Sequence, residues 1–231
     1  MDLATTDLPH ELFRFGWHDD PGGIGPSQRC IRPAEQGGRY DDPAGYFGML
    51  YAADEPSIAV AEVLADLRRP VPGLLAEIEQ GTGEADDDVP AAPDVEAAIR
   101  AELRDRRLVT LDCSRCPGGI DLDSSDTRTA LAAVVDPSLI DGQSWSELPP
   151  GLLAAASREA TQRIGARIVA EARPTALIYE SAQVPQHTCF ALVCWPDDHD
   201  APGISTEPQE LDEHHHHVRS ALQALDAISS G

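Results

Sequence analysis

The chain of 231 residues carries 17 basic and 40 acidic side chains, a formal net charge of −23 with histidine neutral. A general nucleic-acid surface is excluded, because that needs a basic stripe to release phosphate counterions. The basic residues are all arginine, the sequence having neither lysine nor asparagine, so a lysine Schiff base and a lysine-bearing phosphate loop are impossible.

With 42% apolar residues the chain can bury a core, and its length fits one large domain or two small ones. Residues 1–12 carry Asp2, Asp7 and Glu11 and no basic, apolar leader, so the expected location is cytoplasmic. Ordered structure is predicted over 12–69, broken by a glycine and proline loop at 21–26. Within it, residues 47–53 are short, apolar and aromatic and read as a buried strand. Asp54 then offers a helix cap, Pro56 suits the first turn, and a helix is predicted over 57–69.

Residues 70–94, with four prolines and the acidic run 84–88, read as a surface insertion. Helical spacing returns over 94–107, followed by a strand at 108–111, a helix at 126–135 and a proline-containing loop at 137–151. A helix over 157–173 stops at Pro174. Two strands follow, 175–179 and 188–195, their β-branched and aromatic content fitting sheet pairing. The apolar run 189–195 covers about a third of the ~20 residues a membrane helix needs. An acidic linker at 196–213 and an amphipathic helix at 218–228 end the chain. The expected class is α+β.

Several metal and cofactor signals fail on their own chemistry. Cys113 and Cys116 have zinc-knuckle spacing, but four ligands are needed and no second pair exists; the five cysteines read as reduced and mostly structural. Consecutive residues His214 to His217 would point in four directions on a helix, so they read as a solvated run. The segment Asp121 to Asp126 begins like a calcium loop, yet the sixth position is Asp126 instead of glycine and the twelfth is Ala132 instead of glutamate. Gly22, Gly23 and Gly25 do not complete a dinucleotide-binding spacing, and no GxSxG elbow is present. No metal site is predicted.

A different set carries information. Gly37-Gly38-Arg39-Tyr40 places an arginine after two glycines, where backbone freedom lets a guanidinium reach a ligand. Tyr51 lies in the predicted strand. Glu62 sits mid-helix, expected on the side of Ile58, Ala61 and Ala65, with Val60, Val63 and Leu67 opposite. On pattern alone Glu62 and Arg39 are equally compatible with surface positions.

In order, the runs GGRY, LYAA and AVAEVL resemble the RES-domain family, the toxin half of Xre-RES toxin–antitoxin systems, named for its arginine, glutamate and serine. Leu177 to Ala182 resembles the family's late strand ending in the serine, here Ser181. Phe13-Arg14-Phe15 resembles its opening arginine segment, Gln162 its preceding helix, and residues 188–195 its closing strand. The resemblance spans about residues 13–195, which sets the expected RES domain at 12–196 and a linker with a C-terminal helix at 197–231. It departs at Tyr40-Asp41-Asp42, where the family continues with an aromatic residue and asparagine; carboxylates there would oppose anion binding unless they point away.

The resemblance implies an ADP-ribosyltransferase-like fold of packed β-sheets flanked by helices. It also implies an enzyme that consumes NAD as substrate, a glycohydrolase or phosphorylase with water or inorganic phosphate as acceptor and no separate cofactor. Breaking the nicotinamide–ribose bond needs no acid, since nicotinamide leaves neutral; the difficulty is oxocarbenium charge on the ribose. In this reading Glu62 stabilises that charge, Arg39 holds phosphate, and Ser181 offers a hydroxyl to ribose or carboxamide. Arg14, Tyr40 and Tyr51 contribute to substrate binding. The implied partner is a helix-turn-helix antitoxin, with no direct nucleic-acid or membrane contact by this chain. Two alternatives stay open: ADP-ribosyl transfer to a protein, and a silent RES-fold binding module.

Overall fold

A computed structural model describes residues 3, 5–22, 38–68, 95–133, 158–195 and 202–229. The expected insertion at 70–94, the loop at 137–151 and Cys30 lie outside them. The described strands are β1 (Thr5–Thr6), β2 (Glu11–Trp17), β3 (Gly48–Ala53), β4 (Arg106–Asp112), β5 (Gly119–Asp121), β6 (Ala176–Glu180), β7 (Thr188–Cys194) and β8 (Gly203–Ile204). The helices are α1 (Pro56–Arg68), α2 (Val95–Asp105), α3 (Ser125–Ala132), α4 (Arg158–Ala172) and α5 (His216–Ser229). None is long and apolar enough to cross a membrane. The architecture is α+β, as expected.

All described strands join one mixed sheet in the order β1-β5-β6-β7-β3-β2-β4-β8, with only β5 and β6 parallel. The sheet is nearly two. β3 pairs with β7 along six residues and β2 with β4 along seven, but β2 and β3 meet only at Phe13 opposite Ala53. Beyond that pair the two central strands part, and the opening between them is where the site lies.

Period-two alternation explains which side each strand buries. Met49, Ala53, Leu177, Ala191 and Val193 face the helices, packing with Val60 and Leu64 of α1, Leu103 of α2 and Ile164 and Ile168 of α4. Their neighbours Leu50, Ala52, Ile178, Phe190 and Leu192 face the other way, joining Leu12, Val109 and Leu111 in a cluster without helical members.

The elements depart from expectation in identifiable places. β2 was not among the predicted strands, although Phe13, Phe15 and Trp17 alternate with Leu12, Arg14 and Gly16. Helix α1 starts with Pro56, and Ala59 N–H donates to the Glu55 carbonyl, so the capping position is Glu55 and not Asp54. Ser124 caps α3, its hydroxyl accepting from Thr127 N–H.

The C-terminal segment is built into the same core. β8 extends the sheet beside β4, and α5 packs along α1 with Val218, Ala221 and Leu225 buried. His215, His216 and His217 do not splay in four directions as expected; their rings cluster, with centroids 3.9–5.1 Å apart. Mutual repulsion and partial burial hold His215 and His217 below the usual imidazole range, burial first. Among the described residues no group of histidine, cysteine, aspartate and glutamate is placed to hold a metal ion.

Candidate active site

The parting of β2 from β3 opens a cavity of about 310 Å³, whose lining includes Arg14, Arg39, Tyr51 and Glu62. Three further residues that the sequence reading passed over also face it: Arg106, Arg158 and Cys189. Four of the chain's 17 arginines thus line the cavity that holds this one carboxylate, giving a locally cationic pocket in a strongly acidic protein. Opposed fields of this kind draw an anion into the cleft while repelling it elsewhere.

Glu62 is presented by α1 alongside Ala59 and Val63, which line the same cavity. This replaces the expected grouping with Ile58, Ala61 and Ala65, which are buried in the core instead. The shift is one of helix rotation: α1 is wrapped on most sides, so its small residues pack and its i, i+3, i+4 stripe through Ala59 faces the cleft.

Ser181 stands behind the carboxylate. Its hydroxyl donates to Glu62 Oε1 and accepts from the backbone N–H groups of Gln183 (3.1 Å) and Val184 (2.8 Å). With its donor and both lone pairs engaged, and only 2% exposed, Ser181 orients Glu62 and has no hydroxyl capacity left for ribose. That corrects the expected direct contact with substrate. Asp123 anchors the same corner by accepting from Glu180 N–H at 2.7 Å; the acidic run 121–126 serves this and the α3 cap. Cys189, opposite Ala53 in the β3–β7 register, has its thiol pushed well up by burial and by Glu62 and Asp54, so it stays protonated. Ser181→Ala leaves the buried Val184 N–H and the part-buried Gln183 N–H unpaired, and denaturant unfolding should show a loss of about 1–3 kcal/mol, together with reduced activity; unchanged stability would contradict this accounting.

Arg39 sits on a turn locked from three directions. The Asp41 carboxylate accepts from Gly38 N–H at 2.7 Å and from the Tyr51 hydroxyl at 2.8 Å, while that hydroxyl accepts from Tyr40 N–H at 2.9 Å. Gln162 of α4 donates to the Gly38 carbonyl at 2.8 Å. A Cβ at Gly38 would lie 2.4 Å from the Tyr51 ring, which is why only glycine fits there. Asp41 and Asp42 are turned onto donors of their own surroundings and do not line the cavity: Asp41 accepts within the turn, and Asp42 accepts from Ala44 N–H at 2.9 Å.

Tyr40 is another correction. Its ring is fully buried, set 4.9 Å from that of Tyr179 and against the helix backbone at Gly165, where a Cβ would be 3.2 Å away. It is a core residue and does not line the cavity. Tyr51 does line it, but its hydroxyl belongs to the turn, and burial pushes that hydroxyl's pKa well up. Arg14 is 6% exposed and bridges the parted strands, donating to the Tyr51 carbonyl and to the Pro21 carbonyl, each at 3.0 Å. Burial, then the nearby Arg106, lowers its pKa to about 10. It is a fixed cation whose charge an incoming anion would relieve.

A family model described as RES domain matches residues 29–215. No curated protein matches the chain. Among solved structures, a chain of the M. tuberculosis MbcT-MbcA toxin-antitoxin complex is similar at 15% identity, with 96% of this chain and 92% of that one covered and a TM-score of 0.49.

Proposed function

The chain belongs to the RES domain family, and on that footing we propose that it cleaves the nicotinamide–ribose bond of NAD, with water or phosphate as acceptor. The observation that carries this reading is one held carboxylate in a single cavity whose lining includes four arginines. A dianionic pyrophosphate matches the guanidinium forks. The departing nicotinamide needs no proton, so the single task for protein chemistry is to stabilise positive charge on the ribose, and a carboxylate held in the cleft does that.

In this reading Glu62 faces the reacting carbon, its carboxylate oriented by Ser181 so that little reorganisation accompanies bond breaking. Arg39, delivered by the locked turn, takes a phosphate oxygen; Arg14 contributes charge from beneath. The role is that of a toxin, held in check by a protein antitoxin that covers the cleft.

The test is incubation of the pure protein with NAD, following free nicotinamide with and without inorganic phosphate. Release is expected; ADP-ribose as co-product marks hydrolysis, and ADP-ribose 1″-phosphate marks phosphorolysis. ADP-ribose carried on a protein would identify transfer instead. No turnover and no NAD binding would leave a silent binding module. Arg39→Ala is expected to raise KM for NAD about tenfold, the cost of one charge-assisted hydrogen bond to phosphate; an unchanged KM would remove Arg39 from the phosphate.

A further inference from the structure

The cavity extends beyond the catalytic end. Glu62 lies beside Ser181 and Cys189, level with Ala53, the residue at which β3 meets Phe13 of β2. From Phe13, β2 runs on along the cleft without β3, still paired with β4, through Arg14 to Trp17, four residues further. At about 3.3 Å per residue this puts Trp17 roughly 13 Å from the crossing. Along the strand the order is therefore carboxylate, buried guanidinium, indole.

Trp17 is 45% exposed, unusual for so large an apolar ring when the core has room for aromatics. One face is occupied: the Arg106 guanidinium sits 3.9 Å from the ring centroid and is itself steadied by donating to Glu102. Both the indole and this guanidinium line the cavity.

Building on the NAD reading, we propose that Trp17 is the stacking platform for the purine of the dinucleotide, at the opposite end of the cleft from Glu62. A base has a planar π-face and needs no particular hydrogen-bond partner to stack on an aromatic ring. The Arg106 cation behind the indole completes a guanidinium–indole–purine stack, and its charge adds to that of Arg14 near the pyrophosphate. The arrangement makes the enzyme selective for a dinucleotide over a mononucleotide carrying the same scissile bond.

The experiment compares NAD with nicotinamide mononucleotide, which has the reacting ribose but no purine. Trp17→Ala should lower the ratio of their kcat/KM values about tenfold, the loss of one stacked base, whereas Trp17→Phe, which keeps a ring, should recover most of it. A second measurement does not depend on cleavage: calorimetric binding of AMP to the intact protein should weaken about tenfold in Trp17→Ala and much less in Trp17→Phe. Equal AMP affinity in wild type and Trp17→Ala, or equal losses in the alanine and phenylalanine variants, would overturn the proposal. A protein that binds AMP through Trp17 yet never releases nicotinamide would overturn the NAD-cleavage reading and leave the purine platform standing.

Discussion

Glu62→Gln should release nicotinamide from NAD about 100- to 1000-fold more slowly than the wild type, the range for removing one charge-stabilising group from a transition state. The substitution keeps the shape and an oxygen to accept from Ser181, so the corner formed by Ser181, Gln183 and Val184 should survive. What disappears is the negative charge. Because four arginines line the cavity that holds this carboxylate, its removal leaves the pocket more cationic, so NAD affinity should hold or rise while kcat falls. That split separates a transition-state role from a binding role. Loss of kcat and affinity together would point to a disrupted pocket, and an unaltered kcat would eliminate Glu62 as the stabilising group.

Val218→Asp should cost about 4 kcal/mol, the scale for burying an unpaired charge. Val218 is wholly buried on α5, in the cluster that includes Val60, Ala61 and Leu64 of α1. With domain stabilities of about 5–15 kcal/mol, roughly a quarter to four fifths of the folding free energy would be lost. Val218→Ala removes only apolar burial, and about 1–2 kcal/mol is expected. Urea unfolding reads both, with the midpoint falling in that order. Since α5 backs the helix that presents Glu62, nicotinamide release should decline with the folded fraction in Val218→Asp. An unchanged midpoint would mean that the C-terminal helix is dispensable to the core.

The parts of this protein that local pattern could carry were legible before any coordinates. Helix α4 and strands β3, β6 and β7 follow from apolar periodicity and from Pro174, because burial of one face imposes a period on each element regardless of what packs against it. Arg39, Glu62 and Ser181 stand out only through the resemblance of their runs to the RES-domain family, and the structure brings them to one region, two lining the cavity and the third bonded behind. β2 is absent from the predicted strands although Phe13, Phe15 and Trp17 share one face of it.

Direction was not legible. Tyr40 and Arg39 are neighbours in sequence, yet one is sealed in the core and the other faces the cleft, because a tight turn sends successive side chains opposite ways and the lock by Asp41, Tyr51 and Gln162 chooses between them. Arg106, Arg158, Cys189 and Trp17 join the site from four separate elements, and no spacing along the chain encodes that meeting. It depends on one register: β2 touching β3 at a single pair and then parting. Amino-acid order sets the period of each element and the chemistry available to it. The tertiary structure, through where two strands separate, decides which of those groups share a cavity.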